Sequence, residues 1–157
     1  MADQDRFVPR VPGIRYGALD ELAGYAVRRA QIRMYELFAE SLEPWGITPQ
    51  RFSAMTIVGL NPGLKLTELA RIMGIARSGV VALVDVLEGM GYMERQTVPG
   101  DARAFSLVLT PKGHKDLVEI TRAVKRSDEI ATHGLSPEEV VLLRGMLMRI
   151  SDASSAP

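Results

Sequence analysis

Few side chains in this sequence of 157 residues could take part in acid–base or nucleophilic catalysis. The chain contains no cysteine, which excludes thiolate chemistry, disulfides and thiol-based redox sensing, and removes most structural zinc schemes. His114 and His133 are its only histidines, and it has neither a nucleophile elbow nor a phosphate-binding loop. We therefore expect no catalytic residues, no metal ion and no cofactor, and a binding function in place of catalysis.

A more informative pattern lies in residues 69–83, where small and apolar residues follow the spacing of two short helices joined by a sharp turn. Gly74 occupies the turn, where a left-handed backbone conformation is least costly without a Cβ. The second helix should start near Arg77, and three apolar residues should pack it onto the first: Ile75, Val80 and Leu83. Its opposite face would then be free for the major groove of DNA. The same spacing occurs in helical hairpins that bind no DNA, so this pattern alone leaves both interpretations open.

A β-hairpin is predicted directly after these two helices. Tyr92–Thr97 and Ala104–Leu109 indicate short strands, and the turn-rich segment 98–103 joins them. In the second strand, apolar Phe105, Leu107 and Leu109 alternate with outward positions, so one face should pack on the helices. Two helices joined by a glycine turn and followed by a hairpin are typical of a winged helix-turn-helix, in which the hairpin is the wing.

Composition indicates one globular domain, residues 1–157. With 46% hydrophobic residues the chain can bury one core, and it lacks the roughly 18 to 20 consecutive apolar residues that span a bilayer. Asp3, Asp5 and prolines occupy residues 1–13 in place of an apolar signal core, so we expect a cytoplasmic protein with no membrane partner. The net charge is zero, but residues 65–115 carry seven basic side chains against five acidic ones. Because phosphate neutralisation supplies most non-specific affinity for DNA, so small an excess favours a dimer with twice the contact surface.

Helices are also predicted on both sides of the winged core. Apolar residues at three- and four-residue steps predict a long amphipathic helix from about Leu19 to Leu42. Three hydroxyl–proline pairs predict further helix starts, because a hydroxyl can cap the helix and proline fits its first position: Thr48-Pro49, Thr110-Pro111 and Ser136-Pro137. The helices expected from these starts are Pro49–Gly59, Pro111–Thr132 and Pro137–Ile150.

The first helix and the last two have apolar stripes that a winged core does not need. Such a stripe must be buried against something, and a two-fold homodimer that interleaves the terminal helices is the simplest arrangement. We expect the DNA-binding core at about 48–110, and dimerisation helices at about 14–43 and 111–151.

Two motifs resemble those of the multiple-antibiotic-resistance regulator (MarR) family of winged-helix transcription factors. Asp101-Ala102-Arg103-Ala104 resembles the family's D-x-R-A/S wing, and Leu107-Val108-Leu109-Thr110 with Gly113 resembles the L-x-L-T-x-x-G segment that opens its next helix. The resemblance extends from about Leu19 to Ile150. It implies a mainly helical α+β fold, with a winged helix-turn-helix core and a helical dimerisation region formed by the N- and C-terminal helices. It also implies a homodimeric repressor that binds a pseudo-palindromic site in double-stranded DNA.

The resemblance assigns DNA-binding roles to particular residues. Arg103 would enter the minor groove from the wing, where negative potential is concentrated, with Asp101 as its orienting partner. Arg77 and Ser78 would open the recognition helix toward the major groove, where arginine can pair with guanine, and Arg95 would contact the DNA backbone.

The first two turns of this helix depart from the family pattern. The family places polar residues there, whereas this chain has Ala76, Gly79, Val81 and Ala82. Apolar contact with thymine methyl groups, through Val81 among others, and recognition of DNA shape would have to carry more of the specificity.

The resemblance further implies a small aromatic effector, a phenolic acid or its CoA thioester, bound between the dimerisation helices and the winged core. The side chains with suitable chemistry are Arg29, Tyr35, Phe38, Trp45, Phe52, Met55 and His133. Each has a structural alternative: the apolar ones as core, Arg29 as a solvated or dimer-face residue, and His133 as a cation at a helix C-terminus. The alternative function is a winged-helix DNA-binding or architectural protein that responds to no ligand.

Overall fold

Within residues 7–98 and 101–152, which are those that the computed structural model describes, the chain forms six α-helices and a three-stranded antiparallel sheet. For residues 98 and 101–104 only the backbone is described. In chain order the elements are α1 Ala23–Leu42, α2 Pro49–Leu60, β1 Leu64–Lys65, α3 Leu66–Met73, α4 Arg77–Gly89, β2 Met93–Val98, β3 Asp101–Leu109, α5 Pro111–Ala131 and α6 Pro137–Asp152. The predicted α+β class, mainly helical with a winged helix-turn-helix, is confirmed.

The first helix begins later than predicted. Gly17–Glu21 forms a 3₁₀ turn, and Leu22 has an extended backbone with φ −92° and ψ 116°, so α1 starts at Ala23. Arg29 on α1 contacts both its own helix and the segment that precedes the break. It donates to the Tyr25 hydroxyl at 3.0 Å and lies 5.0 Å from the centre of the Tyr16 ring. Apolar periodicity runs through Leu22 without interruption, so it could not reveal this break.

The predicted hydroxyl–proline helix starts are confirmed. The Thr48 hydroxyl accepts from the amide of Arg51 at 3.4 Å, and the Thr110 hydroxyl accepts from Gly113 at 3.0 Å. Ser136 accepts from the amide of Glu139 at 3.2 Å, and the Glu139 carboxylate accepts in return from the amide of Ser136 at 2.7 Å.

The sheet consists of the predicted hairpin and one short strand that the sequence did not reveal. β3 lies in the centre, with β2 on one side and β1 on the other, where Leu64 pairs with Leu107. The second strand of the hairpin begins at Asp101, three residues before the predicted start, and the register shifts between Thr97 and Val98. β1 has only two residues, too few for an apolar alternation to show in the sequence.

The core lies in the winged part of the chain. Its fully buried large side chains come from five helices and two strands: Leu42, Met55, Val58, Leu69, Val80, Val84, Leu87, Met93, Leu107 and Ile120. By contrast, α1 has one buried residue, Leu42, and α6 has none. None of the described helices has the length and apolar character needed to cross a bilayer.

Gly113 allows α5 to start directly against the strand that follows α4. A Cβ at this position would lie 2.1 Å from the carbonyl oxygen of Tyr92, which is far inside contact distance. The backbone would therefore have to move to admit any side chain at position 113.

We expect Gly113→Ala to lower the free energy of unfolding by about 2 kcal/mol or more, because overpacking against backbone cannot be relieved by a rotamer change. Urea denaturation followed by circular dichroism measures the loss. Gly89→Ala is the matched control, since a Cβ at the exposed Gly89 meets nothing within 4 Å. Equal stability of the two variants would contradict the packing argument.

Candidate DNA-binding interface

The turn between α3 and α4 has the geometry that the sequence predicted. Gly74 closes α3 in the left-handed conformation, with φ 64° and ψ 30°, and the amide of Ile75 donates to the carbonyl of Ala70 at 3.2 Å. The Glu68 carboxylate accepts from the amide of Lys65 at 2.9 Å and so caps the start of α3. These bonds hold α3 and α4 as a helix-turn-helix.

α4 has one buried face and one exposed face. Val80, Leu83, Val84 and Leu87 point into the core. At its N-terminal end Arg77 is exposed together with four small or short residues: Ala76, Ser78, Gly79 and Ala82. Val81, half-buried, lies between the two faces.

The start of α4 has no side-chain cap within the described residues, since its N-cap is Ala76. The amide groups of its first turn are therefore open to an external acceptor, and the helix dipole gives this end a partial positive charge. Arg77 adds a full positive charge at the same place.

Arg95 ties the wing to α4 from within the protein. Its guanidinium, 21% exposed, binds the carboxylate of Glu88 and lies 2.7 Å from Oδ1 of Asp85. The amide of Arg95 also donates to Glu88 at 2.9 Å. The contact between Arg95 and the DNA backbone stays a prediction. The sequence pattern that could have indicated these ion pairs is Asp85 and Glu88, three residues apart on the predicted helix, followed by Arg95 in the next strand.

At the wing, the backbone of β3 begins at Asp101, but the side chains of Asp101 and Arg103 lie outside the described residues. Their ion pair and the insertion of Arg103 into the minor groove stay predictions.

Of the seven predicted effector residues, two line a common cavity. Tyr35 and Phe38 face an apolar groove of about 840 Å³ between α1, α5 and α6, here called the terminal-helix groove. The other apolar walls of the groove come from helices far apart in the chain and were not predicted from the sequence: Val27, Met34, Val124, Leu143 and Leu147. Its charged lining consists of Lys125, Asp128 and Glu129.

The other five residues lie elsewhere. Met55 is fully buried in the core, Phe52 packs edge-to-face on Phe38 at 5.7 Å between ring centres, and Trp45 is half-buried at the edge of the core. Arg29 lies against the aromatic rings of Tyr16 and Tyr25. His133 follows the end of α5, with Nδ1 2.9 Å from the carbonyl oxygen of Ile130.

A second cavity, of about 510 Å³, lies between α2 and α5 and is here called the α2–α5 groove. Gly59 and Leu60 form one wall, and α5 supplies the other with residues at helical spacing: His114, Leu117, Val118, Thr121, Arg122 and Lys125. The apolar wall therefore has basic side chains beside it. Arg122 is exposed and pairs with Glu119 at 2.6 Å. This groove was not predicted, although the spacing on α5 was a possible signal.

The fold and the exposed face of α4 define a winged-helix DNA-binding protein. Residues 45–104 match the model of the MarR family. A Thauera aromatica protein named as a transcriptional regulator for the hcr operon is 35% identical over 136 residues, 86% of this chain and 82% of that protein. The transcriptional repressor CouR bound to a 23-mer DNA duplex is 37% identical, with a TM-score of 0.84 over 88% of this chain and 98% of that one. CouR bound to p-coumaroyl-CoA is 35% identical, with a TM-score of 0.81 over 90% of this chain and 99% of that one.

The chain therefore belongs to the MarR family. It is a DNA-binding transcriptional regulator and not an enzyme.

We expect Arg95→Met to lower the free energy of unfolding by about 1–3 kcal/mol, because it leaves the partly buried Glu88 carboxylate without its cation. Guanidinium denaturation measures the change. Arg122→Met removes an ion pair whose side chains are 64% and 58% exposed, and should stay within about 0.5 kcal/mol of wild type. If both variants were equally stable, Arg95 would not fasten the wing to α4.

Proposed function

We propose that this chain is a homodimeric, cytoplasmic repressor that binds a pseudo-palindromic operator and is released by a small aromatic effector. The observation that carries the DNA-binding part is the exposed face of α4, where Arg77 and Ser78 stand beside an uncapped helix start. The wing lies next to this face because Arg95 connects β2 to α4.

The proposed readout combines one charged contact with several apolar ones. Arg77 is long enough to pair with guanine in the major groove, with Ser78 beside it, while Val81 and Ala82 can touch thymine methyl groups. By family resemblance, Arg103 enters the minor groove and Asp101 orients it.

The terminal helices support the homodimer. Six large apolar side chains of α6 are exposed in the single chain: Val141, Leu142, Met146, Leu147, Met148 and Ile150. A helix with so much exposed apolar surface is stable only when another surface covers it, and a second copy of α6 and α1 is the simplest cover. Such a dimer would present two α4 helices about one turn of DNA apart.

We place the effector in the α2–α5 groove. It lies between the winged core and the dimerisation helices, and its volume is within the usual range of about 300–1,000 Å³ for small-molecule sites. An aromatic acyl group would occupy the apolar wall, and Arg122, Lys125 and His114 would lie near a carboxylate or the phosphates of a CoA thioester. CouR, the relative bound to p-coumaroyl-CoA, supports this ligand class.

The terminal-helix groove is less suited to such an anion. Asp128 and Glu129 oppose the single cation Lys125 in its lining, and the proposed second copy would cover its apolar walls. None of the seven effector residues predicted from the sequence lines the α2–α5 groove.

A duplex is first selected by the wild-type protein from a random pool. We expect Arg77→Ala to weaken binding to this selected duplex by about tenfold, because one arginine–guanine pair is lost. Binding to an unselected duplex should fall much less. Fluorescence anisotropy gives both affinities, and sedimentation checks that the dimer is intact. Arg28→Ala, which removes an exposed arginine of α1 bonded to Gln31 at 2.8 Å, is the charge-matched control. Equal losses on both duplexes would mean that Arg77 touches only phosphate.

We expect p-coumaroyl-CoA or p-coumaric acid, at a hundred times its Kd, to raise the melting temperature of the protein by about 5 °C or more. A ligand that binds only the folded protein stabilises it by about 2.7 kcal/mol at that concentration. Differential scanning fluorimetry measures the shift. Val118→Trp, which fills the α2–α5 groove, should abolish it, while Val86→Trp on α4 should retain it. A full shift with Val118→Trp would refute the location, and no shift with any phenolic acid or thioester would favour the ligand-independent alternative.

A further inference from the structure

The three carbonyl groups that directly follow α4, those of residues 90–92, are bonded to the start of α5. The Lys112 ammonium donates to the carbonyl of Met90 at 2.7 Å, and the Thr110 hydroxyl donates to Gly91 at 2.6 Å. The amide of Thr110 donates to the carbonyl of Tyr92 at 3.1 Å. α4 ends at Gly89, and carbonyls of its last turn accept from the amides of Met90, Gly91 and Tyr92. The bonds from α5 therefore hold the segment that directly follows the helix.

Lys112 makes a second contact in the same place. Its Nζ atom lies 4.3 Å from the centre of the Tyr92 ring, close enough for a cation–π interaction. Tyr92 is 4% exposed, so the ring is a fixed platform. Burial, and then the nearby Asp116 carboxylate, raise the pKa of Tyr92, which keeps the ring a neutral phenol.

A surface lysine normally contributes little because its long side chain must be ordered to make one contact. Lys112 differs because its ammonium group meets a carbonyl oxygen and an aromatic face together. For Lys115, exposed on the same helix, the described part of the chain provides no hydrogen-bond or ion-pair partner. The two lysines carry the same charge but differ in their connection to α4.

We propose that Lys112, together with Thr110, positions α4 for DNA recognition by fixing the end of α4 to the first turn of α5. This inference rests on the proposed role of α4 as the recognition helix. α5 also walls both grooves, through Thr121 of the α2–α5 groove and Val124 of the terminal-helix groove.

Lys112→Met separates positioning from charge. It removes the ammonium group and keeps most of the aliphatic stem, and Lys115→Met removes an equal charge from the same helix. Affinities for the selected and an unselected duplex are measured by fluorescence anisotropy for both variants. Both should lose equally on the unselected duplex, because that loss reflects charge alone. On the selected duplex Lys112→Met should lose about fivefold more affinity than Lys115→Met, which is the scale of one ordinary net hydrogen bond.

Lys112→Arg keeps a donor and a cation, and should recover most of the lost discrimination. Equal losses for Lys112→Met and Lys115→Met on the selected duplex, or no recovery with Lys112→Arg, would overturn the proposal. If the wild-type protein selects no sequence from the random pool, α4 is not a recognition helix, and the positioning role proposed for Lys112 is refuted as well.

Discussion

Burial of one face of α4 is the constraint on which the DNA-binding surface depends. Val80, Val84 and Leu87 are fully buried, so the helix cannot rotate without exposing them. Since an α-helix turns about 100° per residue, a start displaced by one position would put Ala76 or Ser78 in the place of Arg77 and turn the buried residues away from the core. The left-handed Gly74 sets that start, and the rest of the recognition surface follows from it.

The acids of α4 would repel a DNA phosphate if they were unpaired. Arg95 binds both Asp85 and Glu88 and joins the wing to the helix by the same contacts. Directly after α4, the start of α5 binds the carbonyls of Met90 and Gly91. The helix is thus attached on its side to the wing and at its end to α5, and each attachment uses a different kind of bond.

Features of this fold that depend on neighbouring residues were predictable from the sequence. Features that depend on tertiary contacts were not. The glycine turn at Gly74 and the threonine caps depend on neighbouring residues, so the sequence carries them directly. The break at Leu22 is accompanied by a contact between Arg29 and Tyr16 across it, and β1 depends on pairing with β3. The two grooves were missed for the same reason, because periodicity identifies an apolar face but not the helix that will lie opposite it. Arg95 was predicted to contact the DNA backbone, and its carboxylate partners within the protein became clear only when β2 was placed beside α4.

The exposed face of α4 includes Gly79, where a Cβ would meet only Ile75, at an ordinary contact distance of 3.9 Å. Because glycine is the weakest helix former after proline, most replacements at this site would strengthen the helix by up to about 1 kcal/mol. Longer polar side chains can therefore be acquired here without a cost to folding. Single substitutions at Gly79 offer an evolving lineage, or a protein engineer, a route to new operator sequences.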